Sequence, residues 1–360
     1  MKKNYIVPIF IPHLGCPNDC IFCNQKKIAK DYDAQKEENI KKDIEKYLAL
    51  YEGKKGIELA FYGGSFTALD YPLMHSYLEL AKTYIDKGLI DHIRLSTRPD
   101  AISQDILDEL KSYKVKTIEL GAQSMDDDVL DALKRGHKAI DTIRSAKLIK
   151  ENGFTLGLQM MLGLYKSNES MELESAEKIA ALKPDFVRIY PTLVIKDTEL
   201  LDKLNEGTYK PLTVDEAVHI LKKLVIIFEA KDIEIIRIGL QTTDNIQLGK
   251  DVVAGPFHPA IRSLTYEEIY FDIISEFIEK NNIVKDFIIQ SSKKIASYLS
   301  GNHKINRKKI YEKYKINYEI KSILNDDQLI RFIYADKEES CEFKTLVKNK
   351  YERGKYFAFK

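Results

Sequence analysis

Between Tyr5 and Leu240 the chain repeats one rhythm. A short run of β-branched and aromatic residues is followed by a longer stretch with apolar residues at helical spacing. The strand-like runs are Tyr5–Ile11, Ile57–Tyr62, His92–Ser96, Val115–Leu120, Thr155–Leu162, Phe186–Tyr190 and Ile233–Leu240. The helical stretches between them include Glu37–Tyr51, Leu73–Ile85, Ile140–Glu151, Met171–Leu182 and Val214–Ala230, and Ser103 is placed to cap another through Leu110. Strand–helix repeats predict parallel strands joined by right-handed crossovers. Strands this apolar are expected to be buried on both faces. The reading is α/β, a partial (βα)6-type barrel, in which sites form at the C-terminal ends of the strands.

Those ends are polar or glycine-rich: Gly63-Gly64-Ser65, Ser96-Thr97-Arg98, Gly121-Ala122-Gln123-Ser124, Gln159, Tyr190-Pro191-Thr192 and Gln241-Thr242. Such ends at corresponding positions predict a large site at the barrel mouth. The rhythm fades after Gly255. Helices at Tyr266–Glu279 and near Ser292–Leu299, the basic run Lys304–Lys315, and a sheet made of Leu329–Tyr334 with Tyr356–Phe359 are expected there. The chain divides into a barrel over 1–260 and a small basic mixed α+β region over 261–360.

With 44% hydrophobic and 31% charged residues the chain is neither disordered nor fibrous. No apolar run is long enough for a membrane helix. The start, Met1-Lys2-Lys3, imitates a signal peptide, but Pro8 interrupts the apolar part and Pro12-His13 stands where small residues would be cleaved. It reads as a strand of a cytoplasmic protein. Net charge is +1, yet residues 280–360 hold 19 basic and 10 acidic side chains, so the remainder carries −8. A basic end on an acidic body suggests a polyanion contact; solvated lysines are the plainer reading.

Three of the four cysteines fall in Gly15-Cys16-Pro17-Asn18-Asp19-Cys20-Ile21-Phe22-Cys23, directly after the first strand. A reducing compartment makes such a group a metal or cluster site. Three thiolates on one loop suit a [4Fe–4S] cluster with one iron open to a small molecule. A closed Cys3His zinc site from Cys16, Cys20, Cys23 and His13 is the alternative.

This spacing resembles the signature of the radical S-adenosylmethionine superfamily. The chain further resembles the catalytic subunit family of Elongator, through Phe61-Tyr62-Gly63-Gly64-Ser65-Phe66-Thr67, Thr97-Arg98-Pro99-Asp100, Glu119-Leu120-Gly121-Ala122-Gln123-Ser124, Lys134-Arg135-Gly136-His137 and Ile189-Tyr190-Pro191-Thr192-Leu193-Val194-Ile195. These occur in family order over residues 5–260. The spacing of Gln123 and Arg135 is also similar to oxygen-independent coproporphyrinogen oxidases. The resemblance implies a cluster on Cys16, Cys20 and Cys23, and S-adenosylmethionine held by Phe22, Gly63, Gly64, Ser65, Ser96, Gln123, Arg135 and Gln159. Phe22 would lie beside the adenine, glycine backbone near the methionine ammonium, Gln123 on the ribose and Arg135 on the carboxylate. It further implies an external one-electron donor of flavodoxin or ferredoxin type and a tRNA or other RNA base as substrate, docked with help from residues 280–360. A small molecule such as a tetrapyrrole is the enzymatic alternative, and a non-catalytic zinc-bearing RNA-binding protein is the alternative of another class. Neither membrane nor DNA is an expected partner.

The chain departs from the Elongator pattern. Its first cysteine interval is shorter, Ser96 replaces a glutamate, and Gln159 replaces a histidine. The residues after 260 are too few for the acetyltransferase domain and lack its glycine-rich acyl-CoA loop. Tyr190 is the candidate catalytic residue, as hydrogen donor or substrate stack, against a packed barrel tyrosine. His137 is read as a turn cap, Cys341 as a small hydrophobe. The Lys304, Arg307, Lys308, Lys309, Lys313, Lys315 run, with Tyr311 and Tyr314, is a nucleic-acid surface or a solvated helix face.

Overall fold

The computed structural model describes residues 5–11, 15–24, 36–240 and 247–354. Seven parallel strands form one curled sheet in chain order: β1 (Tyr5–Phe10), β2 (Ile57–Tyr62), β3 (His92–Thr97), β4 (Val115–Gln123), β5 (Thr155–Leu162), β6 (Phe186–Pro191) and β7 (Glu234–Ile238). Parallel neighbours force a crossover after each strand. The helices that make them are α1 (Glu37–Leu50), α2 (Tyr71–Asp86), α3 (Gln104–Ser112), α4 (Asp127–Ala132) with α5 (Ala139–Glu151), α6 (Glu169–Ala181), and α7 (Glu199–Asn205) with α8 (Val214–Ala230). Their starts follow local chemistry. Ser103 accepts from the Ile106 amide, and Thr213 and Glu216 bond each other's backbone amides in a capping box.

One face of the sheet is apolar and covered by the helices. Val7, Ile9, Leu59, Phe61, Ile93, Leu95, Ile118, Leu120, Leu156, Leu158, Val187 and Ile189 belong to a single core. The other face differs from the expectation of strands apolar on both sides. Register aligns Ala60, Arg94 and Thr117 in one row, Ser96, Glu119 and Gly157 in the next, and Gly121, Gln159, Arg188 and Arg237 in a third. Alternation along each strand sends these side chains inward, opposite the core. The inner face is buried but polar, and its carboxylates are neutralised by guanidinium groups.

The remaining region packs on α8 through α9 (Ile261–Asn281) and the last helix, α12 (Phe343–Glu352). Its four-stranded sheet has the order β9-β8-β10-β11, from β8 (Phe287–Ser291), β9 (Tyr318–Ser322), β10 (Leu329–Tyr334) and β11 (Lys337–Glu342). Between β8 and β9 run α10 (Lys293–Ser300) and α11 (Ile305–Tyr314), so that pair is parallel and the others antiparallel. The segment expected to pair with β10, Tyr356–Phe359, lies outside the described residues; β10 pairs instead with β8 and β11. No described helix is long and apolar enough to cross a membrane.

Candidate active site

The cysteine loop follows β1 at the mouth of the half-barrel. Two glycines let it dock. Gly15 has φ +71, and a Cβ there would stand 2.4 Å from the Ser65 carbonyl oxygen. Gly136 has φ +74, and its Cβ would meet the Asn18 amide nitrogen at 2.2 Å. Both positions need a left-handed backbone and the absence of a side chain. Asn18 Nδ2 donates to the Arg135 carbonyl (3.1 Å). Ile21 is buried in a small cluster with Val129, Leu133 and Leu200, and Phe22 packs against it. The Ile21 amide donates to the Leu133 carbonyl (3.2 Å), and the Leu200 amide to the Ile21 carbonyl (2.8 Å). The loop is thus tied to the segments that follow β4 and β6.

Two guanidinium groups lie beside the sulfurs. Arg135, 7% exposed, donates from Nη2 to the Gly121 carbonyl at 2.8 Å and points Nη1 at the Cys20 sulfur, 3.4 Å away. Arg98 forks onto Asp100 at 2.9 and 2.8 Å, donates to the Arg135 carbonyl at 2.7 Å and interacts with Cys16. Burial raises the Asp100 pKa, but the Arg98 bond prevails and holds it below the usual carboxylate value. His137 is 1% exposed. Burial, followed by the Arg135 charge, pushes its pKa down to about 4, which keeps it neutral.

The glycine turn after β2 is equally constrained. Gly63 has φ +82, and a Cβ there would meet the Ile11 carbonyl oxygen at 2.7 Å. Ser65 is buried with its hydroxyl on Thr97 Oγ1 (2.9 Å) and on the Arg98 amide (3.2 Å), so it ties two strand ends together. Gly121 gives space to two neighbours: a Cβ there would stand 3.0 Å from Gln123 Nε2 and 3.4 Å from Arg135 Nη2. Gln123 has φ +65, beside a register irregularity between β4 and β5. Ser96 Oγ, Gln123 Oε1 and Arg135 Nε are buried and have no hydrogen-bond partner. Orphaned polar atoms at one strand-end region fit a polar ligand that completes them.

Among the described residues, no three histidine, cysteine, aspartate or glutamate side chains group so as to hold one metal ion. A cubane cluster takes one thiolate per iron and does not require the sulfurs to meet at a point. Soft thiolates with guanidinium groups alongside suit that more negative assembly. His13 and Gln241-Thr242 lie outside the described residues.

Gln159 and Tyr190 occupy the inner wall. Gln159 donates to Glu119 Oε2 (3.1 Å), and Tyr190 stands one pleat beyond Arg188. Burial raises the Tyr190 phenol pKa, partly offset by Arg188. The charges behind them, Glu58, Arg94, Glu119 and Arg188, were not singled out from the sequence. Their signal was a charge flanked by apolar residues within each run: Glu58 between Ile57 and Leu59, Arg94 between Ile93 and Leu95, Glu119 between Ile118 and Leu120, and Arg188 between Val187 and Ile189.

A curled parallel half-barrel with a three-cysteine loop after its first strand and buried polar strand ends defines an enzyme of the radical S-adenosylmethionine class. Residues 10–179 match the radical SAM superfamily and residues 184–271 its C-terminal domain, and the chain belongs to that superfamily. The chain is similar to the tRNA uridine(34) acetyltransferase of Methanocaldococcus jannaschii, 29% identical over 185 residues, or 46% of this chain and 34% of the relative. An uncharacterized protein of that organism is 31% identical over 228 residues, 60% of this chain and 68% of the relative. Human Elongator complex protein 3 is 27% identical over 202 residues, 51% and 37%. The match therefore spans about a third of the acetyltransferase and Elongator relatives. A solved structure of Methanocaldococcus infernus Elp3 with an N-terminal deletion shares the fold, with a TM-score of 0.54 and 18% identity, covering 91% of this chain and 72% of that one.

Proposed function

We propose that the chain carries a [4Fe–4S] cluster on Cys16, Cys20 and Cys23, cleaves S-adenosylmethionine reductively and acts on a base of tRNA in a reducing cytoplasm. The observation that carries this reading is the docked loop, with three thiols at the barrel mouth and the Arg98 and Arg135 guanidinium groups beside two of them. When bound, the cluster and S-adenosylmethionine supply one-electron cleavage of a carbon–sulfur bond, giving a 5′-deoxyadenosyl radical that takes hydrogen from the substrate. The chain's own residues bind and orient. The Gly63-Gly64 backbone leaves room for the methionine ammonium, with Ser65 contributing through its backbone. The orphaned Ser96 and Gln123 oxygens suit ribose hydroxyls. Phe22 flanks the adenine. Arg135 bears on Cys20 and supplies its remaining Nε–H to the cofactor carboxylate. Gln159 belongs to the wall rather than to the cofactor. The electron comes from a donor of flavodoxin or ferredoxin type.

The RNA half rests on relatives named as tRNA uridine(34) acetyltransferases and on the basic C-terminal region. There α11 spends part of its charge internally. Lys309 pairs with Glu268, Lys313 with Glu279, and Arg307 lies over the Tyr318 ring. Lys304 and Lys308 are exposed and make no ion pair among the described residues.

Anaerobic reconstitution with iron and sulfide tests the first half. Brown protein that releases 5′-deoxyadenosine from S-adenosylmethionine on reduction is expected; colourless protein retaining one zinc overturns it. Profiling of cellular RNA modifications with and without the chain tests the second.

A further inference from the structure

The turn that follows β5 is held at both edges of one residue, Gly163. Its amide donates to Glu172 Oε1 (2.5 Å), and its carbonyl accepts from the Tyr209 hydroxyl (2.6 Å). Ser167 Oγ donates to the same carboxylate oxygen (2.7 Å). Gly163 has φ +69, and a Cβ there would meet Leu212 Cδ1 at 2.9 Å. Glu172 stands in the first turn of α6, 4% exposed, and Tyr209 in the connection between α7 and α8, 8% exposed. Packing alone does not fix this turn, because Gly163, Glu172, Tyr209 and Leu212 line a cavity of about 240 Å³. Where side chains leave a void, contact energy is lost, and the hydrogen bonds decide the conformation.

Glu172 is a costly way to hold a turn. No cation pairs with it among the described residues; Lys223 on α8 pairs with Glu169, one turn away. Glu172 Oε2 is buried without a hydrogen-bond partner, which costs free energy that only the Gly163 geometry offsets. The relay from there to the cysteine loop is short. Leu164 follows Gly163 directly and is 3% exposed, in one cluster with Ile21, Val129, Leu133, Leu200 and Tyr209, and Phe22 packs against that cluster. Ile21 and Phe22 are the middle of a turn closed by the Cys23 amide on the Cys20 carbonyl (2.9 Å). Tyr209 therefore acts at both ends, with its hydroxyl on Gly163 and its side chain among the neighbours of Ile21.

We infer that Glu172 and Tyr209 are positioning residues for the cluster site: by fixing the Gly163 peptide they place Leu164, and through Ile21 they set where Cys20 and Cys23 stand. Neither is a ligand. Close-packed interiors pass small displacements on rather than absorbing them, so a loosened Gly163 reaches the cysteine turn. Groups behind the ligands set ligand orientation and tune a metal centre in this way, and hydrogen bonding and exposure at the sulfurs set the potential of an iron–sulfur cluster. The inference rests on the cluster reading of the preceding subsection.

The test uses the full chain, reconstituted anaerobically with iron and sulfide. Its readouts are the rate at which a chelator removes iron and the electron paramagnetic resonance spectrum of the reduced cluster. Tyr209→Phe keeps the ring and removes only the bond to Gly163. It should speed iron loss roughly fivefold, the size of one hydrogen bond, and shift the spectrum. Glu172→Leu should do at least as much, and Glu172→Gln, which retains an acceptor oxygen, should stay close to the wild type. Ile21→Ala severs the relay, so adding Tyr209→Phe to it should have little further effect. Val347→Ala, in the core of the C-terminal region, should lower the melting temperature and leave both rate and spectrum unchanged. If Glu172→Leu does not fold, Tyr209→Phe carries the test. A wild-type rate and spectrum in Tyr209→Phe, or the same shift in Val347→Ala, overturns the inference while the cluster reading stands. A wild-type chain that assembles no cluster overturns both.

Discussion

Arg135 Nη1 lies 3.4 Å from the Cys20 sulfur while the same guanidinium holds the Gly121 carbonyl at 2.8 Å. The cysteine loop and the fourth strand therefore share one cation, and a change at Arg135 reaches both. Arg135→Ala should lower S-adenosylmethionine cleavage at least about tenfold, since a charge-assisted contact is worth roughly 1.5–3 kcal/mol. It should also make the cluster harder to reduce, because a nearby cation favours the more negative state. Arg135→Lys should recover part of both. Spectroelectrochemical titration is the check; an unchanged potential would remove Arg135 from the vicinity of the cluster.

The cysteines should separate into two kinds. Replacing Cys16, Cys20 or Cys23 by Ala should abolish iron retention and 5′-deoxyadenosine formation. Cys341→Ala should change neither. Burial pushes the Cys341 thiol pKa up to about 11, with Glu339 adding to it. It should therefore resist iodoacetamide at pH 8, since the thiolate is the reactive form. Mass mapping of labelled peptides reads this directly.

Gly15 and Gly53 have the same φ, +71 and +70, but different surroundings. Gly53 has open space, so Gly53→Ala should cost only the conformational term, about 1 kcal/mol. At Gly15 the new methyl group meets backbone at 2.4 Å, which cannot yield without moving the loop. Gly15→Ala should strip bound iron while Gly53→Ala retains it. Equal iron content in the two variants would show that the loop tolerates displacement.

Two buried groups give opposing pH dependence. Burial pushes Glu172 up to about 7, against the bonds from Ser167 and Gly163. Between about pH 4.5 and 7 the folded chain keeps a proton that the unfolded chain releases, so stability falls as pH rises. His137, pushed down to about 4, refuses a proton that the unfolded chain takes below about 6.5, so stability falls as pH drops through that window. Each slope is at most about 1.4 kcal/mol per pH unit, and they oppose between about 4.5 and 6.5. The wild-type melting temperature should vary little there. Glu172→Gln should make it climb with pH, and His137→Gln should make it decline. Parallel slopes in both variants would show that neither group titrates as described.

The basic helix should not act uniformly on RNA. Charge reversal at Lys304 and Lys308 should reduce the salt slope of tRNA binding by roughly one unit for each phosphate these lysines neutralise. Reversal at Lys309, which pairs with Glu268, should lower the melting temperature and leave the slope nearly intact. Filter binding across a salt series distinguishes the two sets.

The alternating rhythm made the parallel sheet legible, because hydrophobic period and turn chemistry are local. The cysteine loop and the polar strand ends were visible for the same reason. The inner wall was not. Glu119 reads as one charge inside an apolar run until Arg94, Gln159 and Arg188 are seen to converge on it from three strands. Nor was the Ser65 hydroxyl's place legible: it bonds Thr97 and the Arg98 amide, thirty-odd residues away in sequence. The C-terminal sheet was half legible: β10 is apolar, but β11, Lys337–Glu342, is a charged edge strand with no β-like composition.

Glu119 also bears on how the half-barrel is made. Its donors come from β3, β5 and β6, so no partly assembled sheet can bury it cheaply. A chain that has paired β3 with β4 alone holds a carboxylate with one of its four bonds, the one from Arg94. These four strands should therefore close in one concerted step, and hydrogen exchange across them should report a single opening energy rather than fraying strand by strand.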